Sequence, residues 1–313
     1  MSGKNPAILE PDASGIAQAA QLLREGKLVA LPTETVYGLA ARADDAGAVA
    51  EIYRAKSRPD FNPLIVHVSS LAMAKRLAQF DDRAENLARR YWPGPLTLVL
   101  PLREDAGIAP AVSAGLSTIA LRQPAHPVAA AVLSELDLPL AAPSANRSNA
   151  LSPTSAAHVL ASFGEDSPPI LDGGEAKAGL ESTIVALREN GEWSVLRPGP
   201  IPVEELEDLL GPQEKSRGAT IEAPGQLKKH YSPGKPVMLD CAKPTEGAFM
   251  IGFGSVQGDT TLSATGDLAE AAARLYACLH KAAASEKQTI CVAPIPEEGM
   301  GRAINDRLRR AAA

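Results

Sequence analysis

Lys56 and Arg58 after a helical pattern, Arg122 at the end of one apolar run, Ser144 and Asn146 after another, and Arg197 after a third set cations and hydroxyls beside the termini of probable strands. Guanidinium and ammonium groups in such places stabilise phosphate oxygens, most strongly in a phosphoryl or nucleotidyl transition state. Upstream, Leu31-Pro32-Thr33-Glu34-Thr35-Val36-Tyr37-Gly38 puts three hydroxyls and one carboxylate where the apolar run Leu28 to Leu31 stops. In an α/β sheet, ligands dock outside such strand ends. Ser152 before Pro153 and Ser182 before Thr183 add neutral donors, and His67 points from a strand into the same region. A helix opening at Pro153 would aim free backbone N–H groups at an anion. Taken singly, each cation reads as a solvated surface residue, and Pro32 and Gly38 as turn punctuation. If the strands share one sheet, the four cations face one cleft suited to a polyanion.

The elements that must position these groups alternate. Asp12 caps a helix through about Arg24, with Gly26 as its stop. The strand ending in the Thr-rich segment follows, then a helix from Ala46 to Lys56 and a strand from Leu64 to Val68. Helices over Leu71 to Gln79 and Arg83 to Tyr91 lead to a strand at Leu96 to Leu100. Strands at Thr118 to Leu121 and Leu138 to Ala142 flank a helix at Pro127 to Leu136. Glu189-Asn190-Gly191 between Thr183 to Leu187 and Trp193 to Leu196 is a hairpin signal. The alternation predicts α/β, and the hairpin makes the sheet mixed.

After a helix at Val203 to Leu210 the chain turns rich in Pro, Gly and charge, so residues 1–210 read as one domain and 211–236 as a linker. That linker is too polar to pack as a core, yet it carries Lys228, Lys229, His230 and Tyr231 in a row, which suggests a lid. Residues 237–313, with strands at Val237 to Asp240, Phe249 to Gly252 and Thr289 to Ala293 around a helix at Leu268 to Ala284, read as a small second α/β domain.

Composition limits the function. A 313-residue chain with 45% hydrophobic and 22% charged residues builds packed domains, and 4% aromatics leaves no stacking platform for bases. The net charge of −6 argues against nonspecific binding to a phosphate backbone. Cys241, Cys278 and Cys291 have no metal-site spacing and read as reduced and structural. The start of the chain has no apolar signal core, and no stretch is long enough to span a bilayer, which predicts a cytoplasmic protein. No P-loop, GxSxG or HExxH occurs, and Gly252-Phe253-Gly254-Ser255-Val256-Gln257-Gly258 departs from the dinucleotide fingerprint in its spacing.

In order, PTETVYGL at 32 to 39, KSRPDFNPLIVHV at 56 to 68, YWPGPLTLVL at 91 to 100, STIALRQP at 117 to 124, APSANRS at 142 to 148, SPT at 152 to 154, ESTIV at 181 to 185 and LRPG at 196 to 199 closely resemble the YrdC-like family of L-threonylcarbamoyladenylate synthases. PGQLKKHYSPGKP at 224 to 236 and GMGRAINDRLRR at 299 to 310 resemble its two-domain form. The resemblance implies a YrdC-like twisted mixed sheet with flanking helices, plus a second smaller Rossmann-like α/β domain. It implies formation of threonylcarbamoyl-AMP and pyrophosphate from L-threonine, bicarbonate or CO2, and ATP, for tRNA modification, with Mg²⁺ carried on the ATP and no metal ligand from the protein. By position, Thr35, His67, Arg122, Ala142 and Ser182 would hold threonine. Arg58, Asn62, Thr118, Ser144, Ser152, Arg197 and Tyr231 would hold ATP, and Lys56, Arg58, Ser144 and Asn146 form the catalytic set. The product would pass to the tRNA threonylcarbamoyl-transferase complex, with direct tRNA binding weak or absent. The rival readings are a carbamoyl-AMP-forming relative and a protein that binds double-stranded RNA or ribosomes.

Overall fold

The computed structural model describes residues 7–214, 222–224 and 230–313. In the first domain the strands are β1 (Ile8–Leu9), β2 (Val29–Leu31), β3 (Gly38–Arg42), β4 (Ile65–His67), β5 (Leu96–Pro101), β6 (Thr118–Arg122), β7 (Leu140–Ala141), β8 (Ile170–Leu171), β9 (Thr183–Leu187) and β10 (Trp193–Arg197). They form one sheet in the order β1-β8-β2-β3-β7-β4-β6-β5-β9-β10. The sheet is mixed: β4 runs parallel to β6 and β5 to β9, while β5 is antiparallel to β6 and β9 to β10.

Side-chain alternation splits the central strands between two faces. Val66, Leu98, Leu121 and Val185 enter the main core beneath the helices, whereas Ile65, Val99, Ala120 and Ile184 face the other side with Leu196 and Ala223. That second face carries the cleft described below. The helices begin where short polar side chains can cap them: Asp12 accepts the Gly15 N–H ahead of Ala13–Arg24, and Asp45 accepts those of Gly47 and Ala48 ahead of Ala46–Lys56. Ser57 ends the latter helix at φ 51°, a left-handed turn that separates Lys56 from Arg58.

One expected element differs. The helix after Ser152 starts at Ala156, capped by Ser155, and not at Pro153. The Pro153 carbonyl accepts the Tyr37 N–H at 2.8 Å, and this long-range bond holds the segment outside the helix. The N–H cradle expected at Pro153 is therefore not formed.

The second domain has β11 (Val237–Met238), β12 (Ala248–Gly252), β13 (Thr260–Thr261) and β14 (Thr289–Val292), paired in parallel in the order β11-β14-β12-β13 and packed with helices Leu268–Ala284 and Met300–Ala311. Its core is shared across the domain boundary, since Val36, Leu151 and Leu180 join the cluster built by Leu275, Tyr276 and Leu279. At this junction Gly179 has φ +66°, and a Cβ there would lie 2.4 Å from the Ala273 Cα. Only glycine satisfies both the backbone angle and the close approach.

The segment after residue 210 departs from the expectation that it cannot pack. Ala223 is fully buried on the cleft face, and Tyr231 joins the interdomain cluster. Single apolar side chains do this without a continuous hydrophobic run. Lys228 and Lys229 lie outside the described residues. Among the described residues no helix is long and apolar enough to cross a membrane.

Candidate functional site

A cleft on the second face of the sheet is lined from four directions. The Thr33-to-Val36 turn supplies one wall, β4 and β6 the floor, the 142–144 segment and Arg58 another wall, and Ser182 with Arg197 a third. Pro224, His230 and Tyr231 lie over it. Thus covered, the cleft has an open volume of about 50 Å³, against roughly 300–1,000 Å³ for a small-molecule site.

At one end a directed chain of hydrogen bonds fixes Arg122. Its guanidinium donates to Thr35 Oγ1 at 2.8 Å, to Glu34 Oε1 at 2.6 Å and to the Gly94 carbonyl at 3.2 Å. Because arginine only donates, Thr35 accepts; its own proton goes to Thr33 Oγ1, which donates to the Val36 carbonyl. Three of the five guanidinium N–H groups are used, and two remain for an anion. Burial pushes the Glu34 carboxyl up, but the Arg122 charge together with the hydrogen bonds from Arg122 and the backbone outweighs it and holds the group below its ordinary value. His67 is Arg122's partner in the β4–β6 register, so both present to one face. Burial, and then Arg122, lower the His67 pKa to about 3, so the ring is neutral. Neither of its nitrogens has a hydrogen-bond partner among the described residues. Two buried orphan nitrogens cost on the order of 1–3 kcal/mol each, a cost that a polar ligand offsets.

Arg58 donates to the Asn62 and Pro63 carbonyls and lies beside the Tyr53 hydroxyl. Burial lowers its pKa to about 10, with Arg197 adding to the effect, and it stays charged at neutral pH. Arg197 donates to the Ser182 carbonyl and hydroxyl, both at 3.1 Å. A register shift between Val195 and Arg197 re-aims this side chain at the end of β10.

Thr35, Arg58, His67, Arg122, Ala142, Ser144, Ser182, Arg197 and Tyr231 therefore line one cleft. The other expected residues do not. Lys56 is fully enclosed and donates to the carbonyls of Ser144 and Asn146, so it holds the loop and not the cleft. Asn146 spends its amide on the Arg147 and Ala150 carbonyls. Asn62 is buried with its side-chain Oδ1 unpartnered among the described residues, and the Ser152 hydroxyl is committed to Glu181 at 2.5 Å. Thr118 pairs with Pro101 at the opposite end of β6 from Arg122, and four residues of strand span about 13 Å. Thr33, Val36, Glu181, Pro224 and His230 line the cleft and were not singled out as site residues. Thr33 was legible as the partner of Thr35 across one residue in a hydroxyl-rich turn. Glu181 gave no signal of its own, since its importance depends on Ser152, Tyr276 and Arg307, which lie 29, 95 and 126 positions away.

Two family models match the chain: one described as Telomere recombination over residues 21–199, and one described as Threonylcarbamoyl-AMP synthase, C-terminal domain, over residues 201–313. The chain is 40% identical to the threonylcarbamoyl-AMP synthase of Pyrococcus abyssi, covering 94% of itself and 92% of that protein. It is 38% identical to the Bacillus subtilis protein of the same name, covering 95% and 92%. A crystal structure of P. abyssi Sua5 complexed with L-threonine matches with a TM-score of 0.89 at 37% identity, covering 99% of this chain and 98% of that one.

Proposed function

The chain belongs to the threonylcarbamoyl-AMP synthase family, and from that premise we propose that its cleft joins L-threonine, bicarbonate or CO2, and ATP into threonylcarbamoyl-AMP and pyrophosphate. The observation that carries this reading is the convergence of three guanidinium groups, the buried Arg122 and Arg197 and the half-buried Arg58, on one small cleft. Arg122 is held by Glu34 and Thr35 with two N–H groups to spare, a fit for the carboxylate of an amino acid. Thr35, the neutral ring of His67, Ala142 and Ser182 would complete that pocket. With its pKa near 3, His67 is an acceptor for the substrate and not a base for its ammonium.

The ATP triphosphate would lie toward Arg58, Ser144 and Arg197, with Tyr231 above it. The amine of threonine captures CO2 as a carbamate, and a carbamate oxygen attacks the α-phosphorus in line with departing pyrophosphate. The protein has little covalent work to do, and charge stabilisation with positioning supplies the catalysis. Among the described residues no three His, Cys, Asp or Glu side chains gather as a metal site. Mg²⁺ would arrive as part of the substrate, carried on the triphosphate. Tyr231, His230 and Pro224 act as a lid that opens for ATP and shields the labile mixed anhydride from water. The product is then handed to the tRNA threonylcarbamoyl-transferase complex.

Pyrophosphate release measured with ATP, bicarbonate and single amino acids tests the proposal. Release should need both L-threonine and bicarbonate, because the attacking oxygen belongs to the carbamate. Equal release with ATP alone overturns it.

A further inference from the structure

Beneath the cleft lies a buried charge cluster that this chemistry does not use. Glu181 is 5% exposed and lines the cleft. Its carboxylate accepts from Ser152 Oγ at 2.5 Å, from Tyr276 Oη at 2.9 and 3.1 Å, and from Arg307 Nε at 2.8 Å. Tyr276 and Arg307 both belong to the second domain, and Arg307 is fully buried on its last helix. The Arg307 Nη1 donates to the Pro198 carbonyl and Asp306, its Nη2 is buried with no partner among the described residues, and the group sits 5.5 Å over the Tyr231 ring. Burial pushes the Glu181 carboxyl up, yet the charges of Arg307 and Arg197 bring it to about 2, so it is an anion in a cleft read as binding an anion.

We propose that Arg307 is a positioning residue by which the second domain neutralises Glu181, so that a nucleoside triphosphate can enter a cleft lined by a buried carboxylate. The assignment rests on the ATP-binding reading above. Arg197 acts on Glu181 only through its charge, since its hydrogen bonds go to the Ser182 carbonyl and hydroxyl, so the direct ion pair is Arg307's alone among the described residues. Two neutral hydroxyls, Ser152 and Tyr276, would still hold the carboxylate if Arg307 were lost, so the negative charge would remain in place facing the triphosphate. The arrangement gives the second domain a definite part in the reaction: its docking, secured at Gly179 and through the shared apolar cluster, brings the counter-charge.

A charge role and a merely structural role differ in how they respond to a second substitution. Isothermal titration of Mg·ATP and, separately, L-threonine into the full-length chain should show that Arg307→Ala weakens ATP at least tenfold and changes threonine less than threefold, because the Arg122 pocket is untouched. Adding Glu181→Gln should bring ATP affinity back to within about threefold of native, since neither charge is then left alone. Thermal unfolding checks that each variant folds. Where Arg307→Ala does not fold, the double variant is compared with native directly: ATP affinity within threefold supports the assignment, and a tenfold loss overturns it. A double variant no tighter than the single one, or equal losses for ATP and threonine in Arg307→Ala, also overturns it. A native chain that binds no ATP overturns both readings. A native chain that binds ATP and releases pyrophosphate with threonine, beside an unaltered Arg307→Ala, overturns this one alone.

Discussion

Replacing Arg122 by alanine removes three hydrogen bonds and the counter-charge of Glu34 in one step, and the structure separates the two consequences. For stability, the loss leaves Glu34 with the Ala125 N–H at 3.0 Å and a side chain 14% exposed. Breaking a buried pair costs about 3–5 kcal/mol, and the partial exposure of Glu34 places the effect near the lower figure, about 3 kcal/mol. For binding, the two spare N–H groups are lost, and a charge-assisted contact to a buried carboxylate is worth about 2–5 kcal/mol, or roughly 30- to 5,000-fold in Kd. Titration calorimetry with threonine and with ATP, alongside urea unfolding, distinguishes these effects. Arg122→Ala should lose threonine affinity within that range while ATP affinity moves less than about threefold, because Arg58 and Arg197 are separate. Arg122→Ala combined with Glu34→Gln should recover most of the stability and none of the threonine affinity. Equal losses for both ligands, or threonine binding restored by Glu34→Gln, would refute the assignment of Arg122 to the carboxylate.

Gly179→Ala should loosen the second domain, since φ +66° costs a non-glycine residue about 1–3 kcal/mol before the 2.4 Å overlap with Ala273 is counted; unchanged protease sensitivity in segment 211–236 would count against the junction as drawn. Tyr231→Ala should weaken ATP and shorten the lifetime of the mixed anhydride, because this ring, 1% exposed, covers the cleft; an unchanged product lifetime would remove the lid from the mechanism. Stability should fall as pH drops below about 6.5. His67, held near 3 by burial and Arg122, stays neutral in the folded chain while the unfolded chain takes up a proton, which amounts to about 1.4 kcal/mol per pH unit down to pH near 3. His280, lowered to about 4, acts in the same direction. Urea midpoints from pH 7 to 4.5 should show a slope that His67→Gln reduces by about one proton, and an unchanged slope would mean that His67 is protonated in the native state.

Local signals in the chain carried much of the architecture. Asp12 and Asp45 as caps, the apolar runs of β5 and β9, and the Asn-Gly turn before β10 depend on neighbours a few residues away, so their outcome is readable in one dimension. Short or irregular elements were not: β1, β8 and β13 have two residues each and owe their existence to the strands they pair with. The site divides in the same way. Arg58, Arg122 and Arg197 could be nominated only together, from the recurrence of cations at the ends of apolar runs, since each alone read as a solvated surface residue. Which of the nominated groups reach the cleft was settled by long-range contacts. Lys56 is drawn onto two carbonyls, Thr118 stands a strand length from Arg122, and a bulge turns Arg197 inward. The sequence by itself thus determined the fold class and a family of chemistry, because periodicity, capping and motif spacing act locally. Only the tertiary structure decided that Glu181 is an anion balanced by Arg307 from 126 residues away, since a buried charge is tolerated or not according to what the folded chain brings against it.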